Sequence, residues 1–315
     1  VAQTYADVWR AVKLHASAAP LFLVREWVND AWKTLTRHRG GQWVFLRTQA
    51  ALTIAAARSV AVTVTTGSTT VTSAGLFVAG DAGRQLRIAT FPFYTITVVT
   101  DANTITLDRA YGEDSATATA QIFDGYFVTP ADFGQFDLIA DPYNQRRLAF
   151  WISQDELNLL DPTRQAGDTG PRLLATAMPS TATATLGRIQ YEYWPRPTSA
   201  RSFPYYYFKR GANLADSFTF SGVLADAGDV LQKGALAQAA RWPGTSDKPN
   251  PYFNLGLADR LDKDFADGMQ KLSLADDNQQ GSDLQRVHWD RWPLADLAYN
   301  DASLRASDAT VDDLF

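Results

Sequence analysis

The chain has 315 residues, a formal net charge of −5 and no cysteine. That length exceeds one compact core of ordinary size, and 46% hydrophobic with 20% charged residues describes a globular chain of two or three modules. The acidic balance argues against a general nucleic-acid binder, which needs a basic face for phosphates, and without cysteine there are no disulfides or thiolate metal sites.

Residues 1–50 read as helices. In TYADVWRAVKLH, Thr4 is placed to cap, and Tyr5, Val8, Trp9 and Val12 recur at three- and four-residue steps along one helical face. After ASAAP the pattern resumes with Leu23, Trp27, Val28, Ala31, Trp32 and Leu35. Arg37, His38 and Arg39 suit the negative end of the helix dipole, and Gly40-Gly41 stops it. QWVFLRT then reads as a strand leading away.

Between 51 and 130 the composition turns to Thr and Val in alternation. Val60, Val62 and Val64 oppose Ala61, Thr63 and Thr65, and FYTITVVTDANTITLD reads as a hairpin with Tyr94, Ile96 and Val98 on one face. Short strands between Gly, Asp and Asn predict an antiparallel β-sandwich or barrel module. Residues 131–222 form a mixed, β-rich region. RLAFWIS is a strand, Ser153 and Glu156 have capping-box spacing, and GRIQYEYW and SFPYYYFKR read as paired strands. In the second of these, Tyr205 to Phe208 alternate faces, so at least one face is core.

Residues 223–281 return to helix. Gly234, Ala235, Ala237, Ala239 and Ala240 let another helix approach closely, and Pro243 ends the run. A second helix from about Pro251 places Phe253, Leu257, Leu261, Phe265 and Met269 at four-residue steps and runs out at ADDNQQGSD. The fold class expected is therefore α+β: a helical bundle from both chain ends, an inserted antiparallel β-sandwich or barrel, a mixed β region, and an extended C-terminal arm over 282–315.

Catalytic chemistry is not expected. DDNQQGSDLQRV has part of a calcium-loop spacing, but the twelfth position, where a bidentate Glu belongs, is Val287. His15, His38 and His288 lie in separate regions and form no ligand pair. There is no Gly-x-Ser-x-Gly elbow and no Gly-rich phosphate loop. Asp155, Glu156 and Asp161 have capping and turn positions, so a paired-carboxylate glycosidase is disfavoured. No enzyme activity, cofactor or metal is expected. No apolar run is long enough to span a membrane, and Val1 does not begin a signal peptide, so a chain made in the host cytoplasm with no membrane partner is expected.

The arm is aromatic where disordered tails are usually poor in aromatics: Trp289, Trp292, Leu294, Leu297, Tyr299 and Phe315 are spaced along it. Trp and Tyr commonly anchor interfaces, so these six are the candidate partner-binding residues.

TYADVWRAV, VREWVNDAWKTLTRHRGGQWVFLR and DVLQKGALAQAARWPGTSDKPNPYFNLGLADRLDKDFADGMQKL together resemble the opening and closing segments of tailed-phage head-to-tail adaptor proteins, the group that includes tail tubular protein A. The resemblance covers about the first fifty residues and 226–275, and the β-module at 59–130 departs from the family in size. It implies a structural virion protein at the head–tail junction, a homo-oligomeric ring, typically a dodecamer, that joins the portal protein to a tail or nozzle protein. Genomic DNA would pass through its lumen during ejection without sequence-specific binding, and the arm would insert between portal subunits or along the next adaptor. The alternative from another class is a tail-associated carbohydrate- or receptor-binding protein whose β-module is the recognition domain.

Overall fold

The computed structural model describes residues 3–88, 93–168, 170–180 and 185–281. The protein is mixed α+β, with five α-helices among the described residues, a closed six-stranded antiparallel barrel and further small sheets. Contacts divide it into two compact units. Thr48–Tyr207 forms one, the β unit, and the chain on either side of it forms the other, the α unit.

In the α unit, helix α1 (Tyr5–His15) starts in a capping box: the Thr4 hydroxyl accepts from the Asp7 N–H, and Asp7 accepts from the Thr4 N–H. Lys13 closes its other end by donating to the carbonyls of Ser17 and Ala19. Helix α2 (Leu21–Arg37) follows Pro20 and ends in a tight turn where Arg39, Gly40 and Gly41 take left-handed backbone angles. Trp43 is wholly buried beneath that turn, its indole N–H donating to the Leu35 carbonyl at 3.1 Å. The expected strand over QWVFLRT is thereby delayed. Val44–Leu46 makes a 3-10 turn around the buried indole, and strand β1 begins at Arg47.

Helix α4 (Ala227–Arg241) is the most buried element of the unit, packed by α1, α2 and helix α5 (Leu255–Gly281). Its small residues allow this. A Cβ added at Gly234 would stand 3.0 Å from Ala31 of α2 and from the Phe265 ring of α5, and Val230 sits equally tightly against Gly268. Val8, Val12, Val24, Leu35, Leu231 and Phe265 join one core with Trp27, Trp32 and Trp43. Full burial of each such side chain contributes about 1.5–3 kcal/mol.

Helix α5 begins four residues later than its periodicity suggests. Asn250 donates to the carbonyls of Ala239 and Trp242, and the Asn254 side chain accepts from the Leu257 N–H as a cap, so Phe253 lies outside the helix in a turn. At its other end α5 runs through Gly281, and the polar DDNQQG stretch belongs to the helix. Asp276 is buried there, accepting from the Val44 N–H at 3.3 Å and facing Arg39 at 3.6 Å, which gives the last turns tertiary partners.

The β unit contains the barrel and a second core. Strands β2 (Arg58–Val64), β3 (Thr70–Thr72), β4 (Gln85–Ile88), β5 (Phe93–Asp101), β6 (Thr104–Leu107) and β7 (Ala116–Phe123) close in the order β2-β3-β6-β5-β4-β7. Val60, Val62 and Val64 point inward and Ala61 and Thr63 outward, as the alternation requires. Tyr94 and Ile96 are core, but Val98 is exposed. A register irregularity between Ile96 and Val98 turns the strand over, a shift that simple alternation does not reveal.

Two four-stranded sheets build the second core. One has the order β1 (Arg47–Ile54), β16 (Arg201–Lys209), β9 (Phe133–Asp141), β10 (Arg146–Arg147). The other has the order β11 (Ala149–Ser153), β13 (Leu173–Ala177), β14 (Gln190–Trp194), β8 (Tyr126–Val128), with β11 and β13 parallel and connected through helix α3 (Gln154–Leu160). Leu52, Phe133, Phe136, Tyr193, Phe203 and Tyr205 fill the space they share. The two aromatic strands expected to pair with each other therefore do not: β14 pairs with β13 and β8, and β16 lies in the other sheet. The segment between them makes its own ladder, β15 (Arg196–Pro197) with β12 (Gly167–Asp168), which carries the chain from one sheet to the other. Within β16, Phe203, Tyr205 and Tyr207 are buried and Tyr206 and Phe208 half-buried, as alternation predicts.

Candidate functional site

The α unit presents its most unusual surface at one end. Helix α1 finishes there, α2 begins, α4 finishes and α5 begins, and three contacts hold these termini together. The His15 and Tyr252 rings lie 5.4 Å apart, Trp27 and Trp242 lie 6.0 Å apart, and the Asn254 N–H donates to the Ala240 carbonyl at 2.9 Å. On this scaffold stand five large apolar side chains open to solvent: Leu14, Leu21, Phe22, Phe253 and Leu255, with Leu14 83% and Phe22 69% exposed. Exposed apolar residues scattered singly are ordinary, whereas several at one pole mark a surface for contact.

A cleft of about 490 Å³ runs from this pole along α2, lined by Leu21, Phe22, Arg25, Glu26, Asn29, Lys33 and Asn213. Its wall is rigid. Arg25 pairs with Asp216 at 2.6 Å and lies over the Trp9 ring, whose N–H donates to the same carboxylate. Tyr5 donates to the Arg25 carbonyl and accepts from Asn29, and burial pushes its phenol above the usual tyrosine range. The Arg25 Nε is buried without a hydrogen-bond partner. The arrangement places an ion pair and amide side chains beside an apolar lip.

The polar clusters of the β unit are committed to holding the fold. Arg84 bridges buried Asp81 at 3.6 Å and Asp124 at 2.7 Å and donates to the Ala56 carbonyl, while Arg58 also pairs with Asp81. This clamps both segments leading into and out of the barrel onto β4. Arg164 pairs with buried Glu192 at 2.6 Å, and Gln154 donates to the same carboxylate. The three carboxylates read as caps and turns take those positions. Ser153 and Glu156 form the capping box of α3, and those bonds hold the Glu156 carboxyl below its usual range. Asp161 follows the last turn of α3 and accepts from the N–H groups of Gln165, Ala166 and the Trp194 indole. Partial burial raises its pKa, but these donors outweigh burial and the net shift is downward. Asp155 is an exposed first-turn residue of the same helix.

The histidines lie apart: His15 lies tilted against Tyr252, His38 against Trp43, and His288 falls outside the described residues. Among the described residues no group of three His, Cys, Asp or Glu could hold a metal ion, and no helix is long and apolar enough to cross a membrane. The candidate arm residues Trp289, Trp292, Leu294, Leu297, Tyr299 and Phe315 also lie outside the described residues. The apolar pole was not anticipated from sequence. Its signals were present but slight: Leu14 breaks the α1 stripe, and Leu21-Phe22 precedes the α2 stripe. No protein-family model matches the chain, and no curated protein matches it.

Proposed function

We propose that this chain is a head-to-tail adaptor of a tailed bacteriophage, a structural virion protein without enzymatic activity. It would assemble as a homo-oligomeric ring between the portal protein and the tail or nozzle protein and continue the channel through which genomic DNA is ejected. One observation carries the reading. The two stretches that resemble adaptor proteins, about 1–50 and 226–275, are separated by most of the chain, yet they belong to one compact unit with a common core. A resemblance confined to two distant segments has structural meaning when those segments are one body.

In this reading α1, α2, α4 and α5 form the helical bundle of the adaptor, and residues 282–315 form an arm that engages a neighbour. The acidic balance of the chain suits a channel through which DNA slides. The barrel is an elaboration carried by the adaptor body. A receptor-binding role for it draws less support, because its aromatics Phe77, Tyr94 and Tyr111 are spent inside its own core.

The test is mass and incorporation. Native mass measurement of the full chain, alone and with portal-bearing particles, should show a closed ring in at least one of the two. Truncation after Gly281 should leave a folded protein that no longer joins such particles. A chain that stays monomeric with portal present, or binds glycans in place of particles, would refute the reading.

A further inference from the structure

We propose that the β unit, whether or not the chain is an adaptor, binds one small monatomic anion of halide size on the guanidinium of Arg196. Arg196 stands on β15, where its N–H donates to the Ala166 carbonyl at 2.9 Å and the β12–β15 ladder holds its backbone. Its guanidinium lies over the Phe123 ring, 5.0 Å from the centroid. It also packs beside Gly167, where an added Cβ would stand 3.5 Å from Nη2. The Nε and Nη1 atoms are buried and have no hydrogen-bond partner among the described residues. Leaving a buried charged donor unpaired is costly, and native structures keep few without an ion or an ordered water beside them.

Size and charge select the ligand. A cavity of about 10 Å³ opens beside the guanidinium, lined also by Phe93, Phe123, Arg164, Glu192 and Trp194. That volume admits about one water-sized sphere, which a halide matches and a phosphate or sulfate exceeds. The carboxylates nearby are already engaged. Glu192 accepts from Arg164 and Gln154, and Asp161 from the N–H groups of Gln165, Ala166 and the Trp194 indole. Arg87, whose Nη1 donates to the Arg164 carbonyl at 3.3 Å, brings a further cation. Arg87, Arg164 and Arg196 are thus set against Glu192 and Asp161, three positive charges to two negative. Burial first, then the Arg87 charge, pulls the Arg196 pKa below its ordinary value, with Asp161 opposing. A water would fill the cavity and leave that excess in place, whereas an anion offsets it.

The test is the melting temperature of the β unit in the full chain, in sodium chloride or bromide against sodium gluconate at equal ionic strength. Each tenfold rise in halide above its dissociation constant should raise it by about 3–5 °C, and gluconate, too large for the cavity, should not. Arg196→Gln should abolish the difference between halide and gluconate. Arg10→Gln, which removes an exposed cation of α1, should keep it. General salt effects on the chain would survive both substitutions. Should Arg196→Gln fail to fold, the unaltered protein decides: crystals grown in bromide should show an anomalous bromide peak in contact with Nε or Nη1 of Arg196. Equal halide and gluconate curves, a halide effect that persists in Arg196→Gln, or water without bromide at the guanidinium overturns the proposal.

Discussion

Gly234 of α4 and Ala31 of α2 meet so closely that a Cβ built on the glycine would stand 3.0 Å from the alanine methyl. The Phe265 ring of α5 closes the same spot from the other side at 3.0 Å. Three helices, drawn from both ends of the chain, are thus brought to one point by a side chain that is absent.

Gly234→Val should therefore lower stability by about 1–3 kcal/mol, since two packed neighbours must give way. Ala237→Trp, at a wholly buried position of the same helix, should cost at least as much. Thermal unfolding followed by circular dichroism measures both. An unchanged melting temperature for either variant would mean that the helices do not pack as described.

Asp276→Ala tests the tie between α5 and the turn after α2. The change removes the acceptor for the Val44 N–H and a carboxylate facing Arg39. Leaving that N–H without its partner should cost about 1–3 kcal/mol. Amide hydrogen exchange should rise at Val44 and in the last turns of α5 while the barrel keeps its protection. Loss of protection spread evenly over both units would contradict a local role.

Excision of the barrel should be tolerated. Arg58 and Ile122 are direct partners across β2 and β7, so the chain enters and leaves the barrel about 5 Å apart. Replacing 58–122 with a short Gly/Ser linker should preserve the helical circular dichroism signal of the α unit. Disappearance of that signal would show that the barrel is needed for folding.

The acid limb of stability should depend on Asp161. Its pKa lies below the ordinary 3.8 in the folded protein, because three N–H donors outweigh the opposing effect of partial burial. A depressed folded pKa contributes stability that is present above 3.8 and is lost as pH falls through the folded value. Asp161→Asn should be less stable than the unaltered protein at neutral pH, and the difference should shrink once the pH falls below the folded pKa. A difference that stays constant down the acid limb would assign its cost to lost hydrogen-bond geometry instead of charge.

Much of this protein was determined locally and could be read from sequence. The three-to-four spacing in α1 and α2, the cap at Thr4, the capping box at Ser153 and the inward valines of β2 follow from backbone period and from side chains acting on their own neighbours. The small-residue run in α4 announced a close approach, though not that Ala31 and Phe265 would be its partners. What only the tertiary structure decided were relationships between distant residues. The irregularity that exposes Val98 depends on how β5 registers against β6. The separation of β14 from β16 depends on a two-residue ladder with Gly167 and Asp168. The extension of α5 through Asp276 depends on Val44 and Arg39, more than two hundred residues away in sequence. The apolar pole emerges for the same reason: Leu14, Phe22, Phe253 and Leu255 have no common period along the chain, and come to one end of the α unit only when four helix ends are packed together.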